Sequence, residues 1–124
     1  MNRLVFVLLL VPSVSLADRS IHGDKSATID CSKDPEVSIH SGEGTFTFTG
    51  TCDKIAVNGG NNKLTIENVK KLAIVGAGNT VDVKGADKIA VTGSGNTVTY
   101  KGTVTGKGKT NVASIGSRNS IKKT

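Results

Sequence analysis

Aromatic side chains are nearly absent: of 124 residues none is Trp, one is Tyr and three are Phe, 3% in all. Compact globular cores are built around such side chains, so that architecture is set aside. After the first 17 residues no segment repeats its apolar positions at helical spacing, which removes amphipathic helices. Histidine is limited to His22 and His40. What is present is 36% hydrophobic residues, mostly Val, Ile, Leu and Ala, together with 15 Gly. That is too much apolar surface for a disordered chain. The length allows one domain, and a thin, regular, β-branched architecture is implied.

The N-terminus reads as an address. Met1-Asn2-Arg3 is a short basic region, Leu4 to Val11 is an unbroken apolar run, and Pro12 to Ala17 ends in the small residues Ser15 and Ala17 where a signal peptidase cuts. Residues 1–17 are therefore expected to be a signal peptide, and 18–124 the mature domain. The apolar run is about eight residues against the roughly 20 needed to span a bilayer, so no transmembrane anchor is expected in the mature chain. Residue 18 is Asp rather than Cys, which removes a lipoprotein anchor. The product is basic, because the formal +6 loses only Arg3 on cleavage. It is expected to be exported, to a periplasm or the extracellular space.

Cys31 and Cys52 are the only cysteines, and an even count in an oxidising compartment favours one disulfide over two buried thiols. Neither histidine lies at ligand spacing from them, so no metal site is expected.

An internal repeat decides the fold. Ile55-Ala56-Val57, followed by Gly59-Gly60-Asn61-Asn62-Lys63-Leu64-Thr65-Ile66, recurs at Leu72 and again at Ile89, a period of 17 both times. A weaker copy begins at Val112, displaced by 23, and an early one at Val37, 18 before Ile55. The strong repeats cover 51–102, a degenerate N-terminal rung 27–50, and a weak C-terminal rung 110–121. Each unit holds two three-residue strands with alternating apolar residues, too short to bury a face alone. Stacking solves this, with Ile55, Leu72, Ile89 and Val112 in one inward ladder and Leu64, Val81, Val98 and Ile121 in another. The expected fold is all-β, a small single-domain parallel β-solenoid of about five rungs of roughly 17 residues, with about four inward positions per rung and rungs about 4.8 Å apart. Asn62, Asn79, Asn96 and Asn119 occupy one equivalent turn position and are expected to form a structural asparagine ladder.

These units, with Gly50-Thr51-Cys52-Asp53-Lys54-Ile55 ahead of them and Ile89-Ala90-Val91-Thr92-Gly93-Ser94-Gly95-Asn96-Thr97-Val98 among them, resemble an exported bacterial family, domain of unknown function 3060. The resemblance covers roughly Ala27 to Tyr100 and implies a secreted, cysteine-paired β repeat. It brings no catalytic residues. The turn Ser41 to Thr45, where Gly44 replaces Asn, and the stretched last unit depart from the pattern.

Other motifs dissolve into the repeat. Gly76-Ala77-Gly78 opens like a dinucleotide fingerprint, but the third glycine falls at Val81 and no helix follows. The Gly59-Gly60-Asn61-Asn62 turn lacks the carboxylates that stacked calcium sites need. No paired-carboxylate or Ser-His-Asp constellation assembles across rungs, so no catalytic residues, no cofactor and no enzyme are expected. Scarce aromatics and export argue against nucleic acid as a partner.

Lys54, Lys71 and Lys88 share one position in three successive units, so stacking lines them up. Interleaved with Asp53 and Asp87 they make a solvated face that resists edge association. The same column is the candidate anion-binding surface, for an envelope polyanion such as lipopolysaccharide phosphates, teichoic acid or acidic polysaccharide. Ser38, Ala56, Ala73, Ala90 and Ala113 should form an outward stripe on which a partner, or the N-terminal segment Ser20 to Ile29, could pack. A second outward row, Thr47, Thr65, Asp82 and Thr99, is interrupted by an acid and is no ice-binding array. The insertion Thr103 to Lys109 accounts for the step of 23. As the one loop long and basic enough to be a functional projection, it joins the Lys column and the Ala stripe as a candidate contact surface, against the plainer reading of a flexible bulge. The leading expectation is a non-enzymatic exported structural or interaction module of the bacterial envelope. The alternative is a binding protein for anionic cell-surface glycans acting through the Lys column.

Overall fold

The computed structural model describes residues 18–23 and 25–124, so the expected leader 1–17 lies outside the described residues. Nine strands join in one parallel sheet wound around itself, and no helix occurs among the described residues. They are β1 (Asp18–His22), β2 (Ser26–Asp30), β3 (Glu36–His40), β4 (Thr45–Gly60), β5 (Lys63–Ala77), β6 (Thr80–Ser94), β7 (Thr97–Gly102), β8 (Asn111–Ser117) and β9 (Ser120–Lys123). The fold is the parallel β-solenoid that the repeat predicts.

Strand register defines the coil. One broad face stacks segments beginning at Asp18, Glu36, Lys54, Lys71, Lys88 and Asn111, each hydrogen-bonded to the next. A second face stacks segments beginning at Ser26, Thr45, Lys63, Thr80, Thr97 and Ser120. The early step of 18 comes from one extra residue between Phe48 and Thr51, where the register shifts at Gly50. The segment Ser20 to Ile29, offered above as one occupant of the alanine stripe, instead contributes to a first layer made by β1 and β2: Ser20 pairs with Ser38 and Thr28 with Thr47. The rung expected over 27–50 thus straddles two layers.

The coils are richer than two short strands. Hydrogen bonding to the layers above and below continues through the bends, so β4, β5 and β6 run for 15 or 16 residues each. A short third face pairs Thr51-Cys52 with Asn68-Val69 and then Gly85-Ala86. In the coil that starts at Lys54 the inward residues are Ile55, Val57, Asn62, Leu64, Ile66 and Val69, all at most 1% exposed. The core therefore holds five apolar chains and one amide per coil rather than about four positions. Its ladders lose their cover at the C-terminal layer. Val112 is 38% exposed and Ile121 half-buried, against 0% for Ile89 one layer up, because a last coil is covered on one side only.

Cys31 and Cys52 are joined, with Cα atoms 4.9 Å apart and both side chains buried. The bond lies on the third face, at the position that Val69 and Ala86 fill in later coils, and clamps the first layer to the second. Their separation of 21 exceeds the coil length because a turn at 32–35 intervenes. Asp30 holds that turn, its Oδ1 accepting from the Ser32 hydroxyl at 2.7 Å and the Ser32 N–H at 3.0 Å. These hydrogen bonds, with Lys33 nearby, keep the Asp30 carboxyl below its usual range.

Candidate functional site

The asparagine positions come together as a continuous ladder. Asn62 donates from its backbone N–H and its Nδ2 to Asn79 Oδ1, both at 3.1 Å. Asn79 does the same to Asn96 Oδ1 at 3.0 Å, and Asn96 to Asn119 Oδ1 at 3.1 and 3.0 Å. The second Nδ2 hydrogen of each reaches a carbonyl at the preceding corner: Ser41 from Asn62, Gly59 from Asn79, Gly76 from Asn96 and Gly93 from Asn119. At the other end the Gly44 N–H, where the sequence departs from Asn, donates to Asn62 Oδ1 at 3.0 Å and closes the acceptor side. Asn62, Asn79 and Asn96 are buried and Asn119 is partly exposed. The ladder satisfies corner backbone groups that would otherwise be orphaned inside the rod. Glycine at the corner is required: Gly76 has φ 143°, and a Cβ there would overlap the Gly59 carbonyl.

The broad face carries the surface residues singled out above. Lys54, Lys71 and Lys88 are in register, preceded by Glu36 and followed by Asn111. Beside them runs a second column in which Asp53 and Asp87 flank Lys70, and Lys70 Nζ lies 3.5 Å from Asp53 Oδ1. The lysine column is thus bordered by carboxylates, which blunts its potential. Two residues along each strand the stripe Ser20, Ser38, Ala56, Ala73, Ala90 and Ala113 is also in register. Beyond it lies an outward column of His22, His40, Asn58, Val75, Thr92 and Ile115, in which Val75 is 47% and Ile115 68% exposed. His22 and His40 stack with ring centroids 4.9 Å apart. The result is a flat face of small and apolar side chains edged by lysines. On the second face Thr47, Thr65, Asp82 and Thr99 share a column, and Thr99 Oγ1 bonds Asp82 Oδ1 at 3.3 Å. Among the described residues no group of three or more His, Cys, Asp or Glu could hold a metal ion.

One electrostatic feature escapes a net-charge count. Residues 18–53 contain seven acids against three Lys or Arg, whereas 88–124 contain seven Lys or Arg and no acid. Because each coil stacks on the last, this difference along the sequence becomes a gradient along the rod axis. Counting by segment instead of over the whole chain would have exposed it. The basic end also holds the insertion. It is pinned by Val104 N–H to Asp87 Oδ1 at 2.9 Å, by Thr103 Oγ1 to the Lys107 carbonyl at 2.8 Å and by Thr110 Oγ1 to the Ala86 carbonyl at 2.7 Å.

This architecture, a disulfide-clamped parallel β-solenoid with an internal asparagine ladder, defines the class of protein. The sequence matches the family described as Protein of unknown function (DUF3060) twice, over residues 39–85 and 70–118. Together the two matches span most of the chain, and it belongs to that family. No curated protein and no solved structure matches the sequence.

Proposed function

We propose that this chain is a non-enzymatic, exported structural and interaction module of the bacterial envelope, and that its broad face makes the contact. The observation that carries this reading is the in-register surface of Ala56, Ala73 and Ala90, bordered by Lys54, Lys71 and Lys88 on one side and by Val75 and Ile115 on the other. Small side chains in register give a flat surface on which a partner can pack closely, and exposed apolar groups at its margin favour burial. Export is supported by the leader-like residues 1–17 and by the disulfide. Among the described residues no helix is long and apolar enough to cross a membrane. The experiment is retention of envelope components by the immobilised chain. Ala73→Arg with Ala90→Arg should abolish retention while Thr65→Arg on the second face leaves it intact; equal retention by both variants would reject the reading.

The second reading is an anionic glycan held along Lys54, Lys71 and Lys88, favoured by their alignment. It requires retention that falls with salt and is lost on replacing the three lysines by Ala, and the bordering Asp53 and Asp87 weigh against it.

A further inference from the structure

The insertion and the last two layers enclose a recess of about 230 Å³ lined by Tyr100, Gly102, Gly108, Lys109, Thr110 and Lys123. Three observations show how it arises. Tyr100 occupies the inward column that Phe48, Ile66 and Val83 fill in earlier coils. The next residue in that column is Lys123, which cannot complete a core, so the ring stays half-buried, one side on the core and the other toward the recess. The insertion then supplies the opposite wall through Gly108, Lys109 and Thr110, held in place by the Thr110 hydroxyl on the Ala86 carbonyl.

The two charged side chains that line this recess, Lys109 and Lys123, are both cationic. Neither of the two ion pairs among the described residues involves a residue from Lys88 onward. Asp87, which touches the insertion, has one carboxylate oxygen engaged by the Val104 N–H. Lys109 and Lys123 therefore face the recess without a carboxylate partner. The volume is below the roughly 300 Å³ at which pockets begin to accept drug-sized ligands, which suits a single ring. An aromatic face accepts the C–H groups of a saturated ring, and ammonium groups beside it select a negative substituent.

We propose that this recess binds one anionic pyranose, a uronate or a phosphorylated sugar, either free or at the end of a glycan, with the ring against Tyr100 and the acid group between Lys109 and Lys123. The site is separate from the broad face and does not rest on its role.

The chain contains one Tyr and no Trp, so its intrinsic fluorescence reports this site alone. The intact oxidised protein is titrated at low ionic strength with glucuronate, glucose 6-phosphate, glucose and inorganic phosphate. Glucuronate or glucose 6-phosphate should change the emission saturably, and glucose should not. Lys109→Ala and Lys123→Ala, both at exposed positions, should each weaken binding about tenfold, as loss of a charged hydrogen bond does. Ala73→Arg should leave the titration unchanged, which separates this site from the broad face. A uronate oligomer that binds more tightly than the monomer would identify a glycan end as the source, and equal affinity a free sugar acid. The proposal is overturned if neither acid gives saturation by about 10 mM or if the two lysine variants titrate like wild type. It is likewise overturned if inorganic phosphate alone reproduces the response, since that would leave the ring no part.

Discussion

Removing a central rung of the amide ladder should cost far more than removing its end. Asn79→Ala deletes the acceptor that takes the Asn62 N–H and Nδ2 at 3.1 Å, and the donor that reaches the Gly59 carbonyl and Asn96 Oδ1 at 3.0 Å. Two partners survive through other bonds, since Asn62 Nδ2 still reaches Ser41 and Asn96 Oδ1 still accepts the residue 79 N–H. Left orphaned are the Asn62 N–H and the Gly59 carbonyl. At roughly 1–3 kcal/mol for each buried unsatisfied group the loss is about 4 kcal/mol, a large share of the 5–15 kcal/mol typical of a domain. Urea unfolding followed by far-UV circular dichroism reads this as a midpoint lowered by about 2–3 M. Asn119→Ala opens its partners to water at the rod's end and should cost only about 1 kcal/mol. A third variant, Asn79→Asp, keeps the acceptor but buries a carboxylate whose pKa desolvation would raise. Its native state then binds the extra proton, so its deficit should be largest at neutral pH and shrink on acidification. Equal losses at 79 and 119, or a change within about 0.5 kcal/mol at 79, would refute the ladder as a source of stability.

Gly76→Ala should destabilise by more than about 2 kcal/mol in the same assay, since its Cβ would overlap backbone; Gly102→Ala, with open space around it, should stay within about 0.5 kcal/mol. Reduction of Cys31–Cys52, or Cys31→Ser with Cys52→Ser, should lower stability by about 3 kcal/mol, with hydrogen exchange rising first in residues 18–40. Val91→Ala should cost about 2 kcal/mol and Val112→Ala under 1 kcal/mol, because the first is 1% and the second 38% exposed; similar losses would contradict an open last coil.

The ladders and the lysine column were legible because a strict period of 17 converts sequence spacing directly into spatial register, as Lys54, Lys71 and Lys88 show. The third face was not, because it contributes one inward residue per coil and that residue changes from Cys52 to Val69 to Ala86. The first layer stayed hidden for a related reason: Ser20 and His22 match Ser38 and His40, but the segment lacks the Gly-Asn corner that marks later coils. The recess at Tyr100 arises where the period fails. A residue that reads as one more inward position is left half-open only because Lys123 follows it in the stack and an insertion of unrelated spacing stands opposite.

The winding of one coil on the next is tested most directly by nuclear Overhauser contacts on the isotope-labelled chain. Parallel stacking predicts cross-strand contacts linking Ile55 to Leu72 and Leu72 to Ile89, at a constant offset of 17 residues, together with Asn79 and Asn96 side-chain amides in contact. Contacts whose residue numbers rise on one strand and fall on its neighbour would mean hairpins, and would contradict the solenoid.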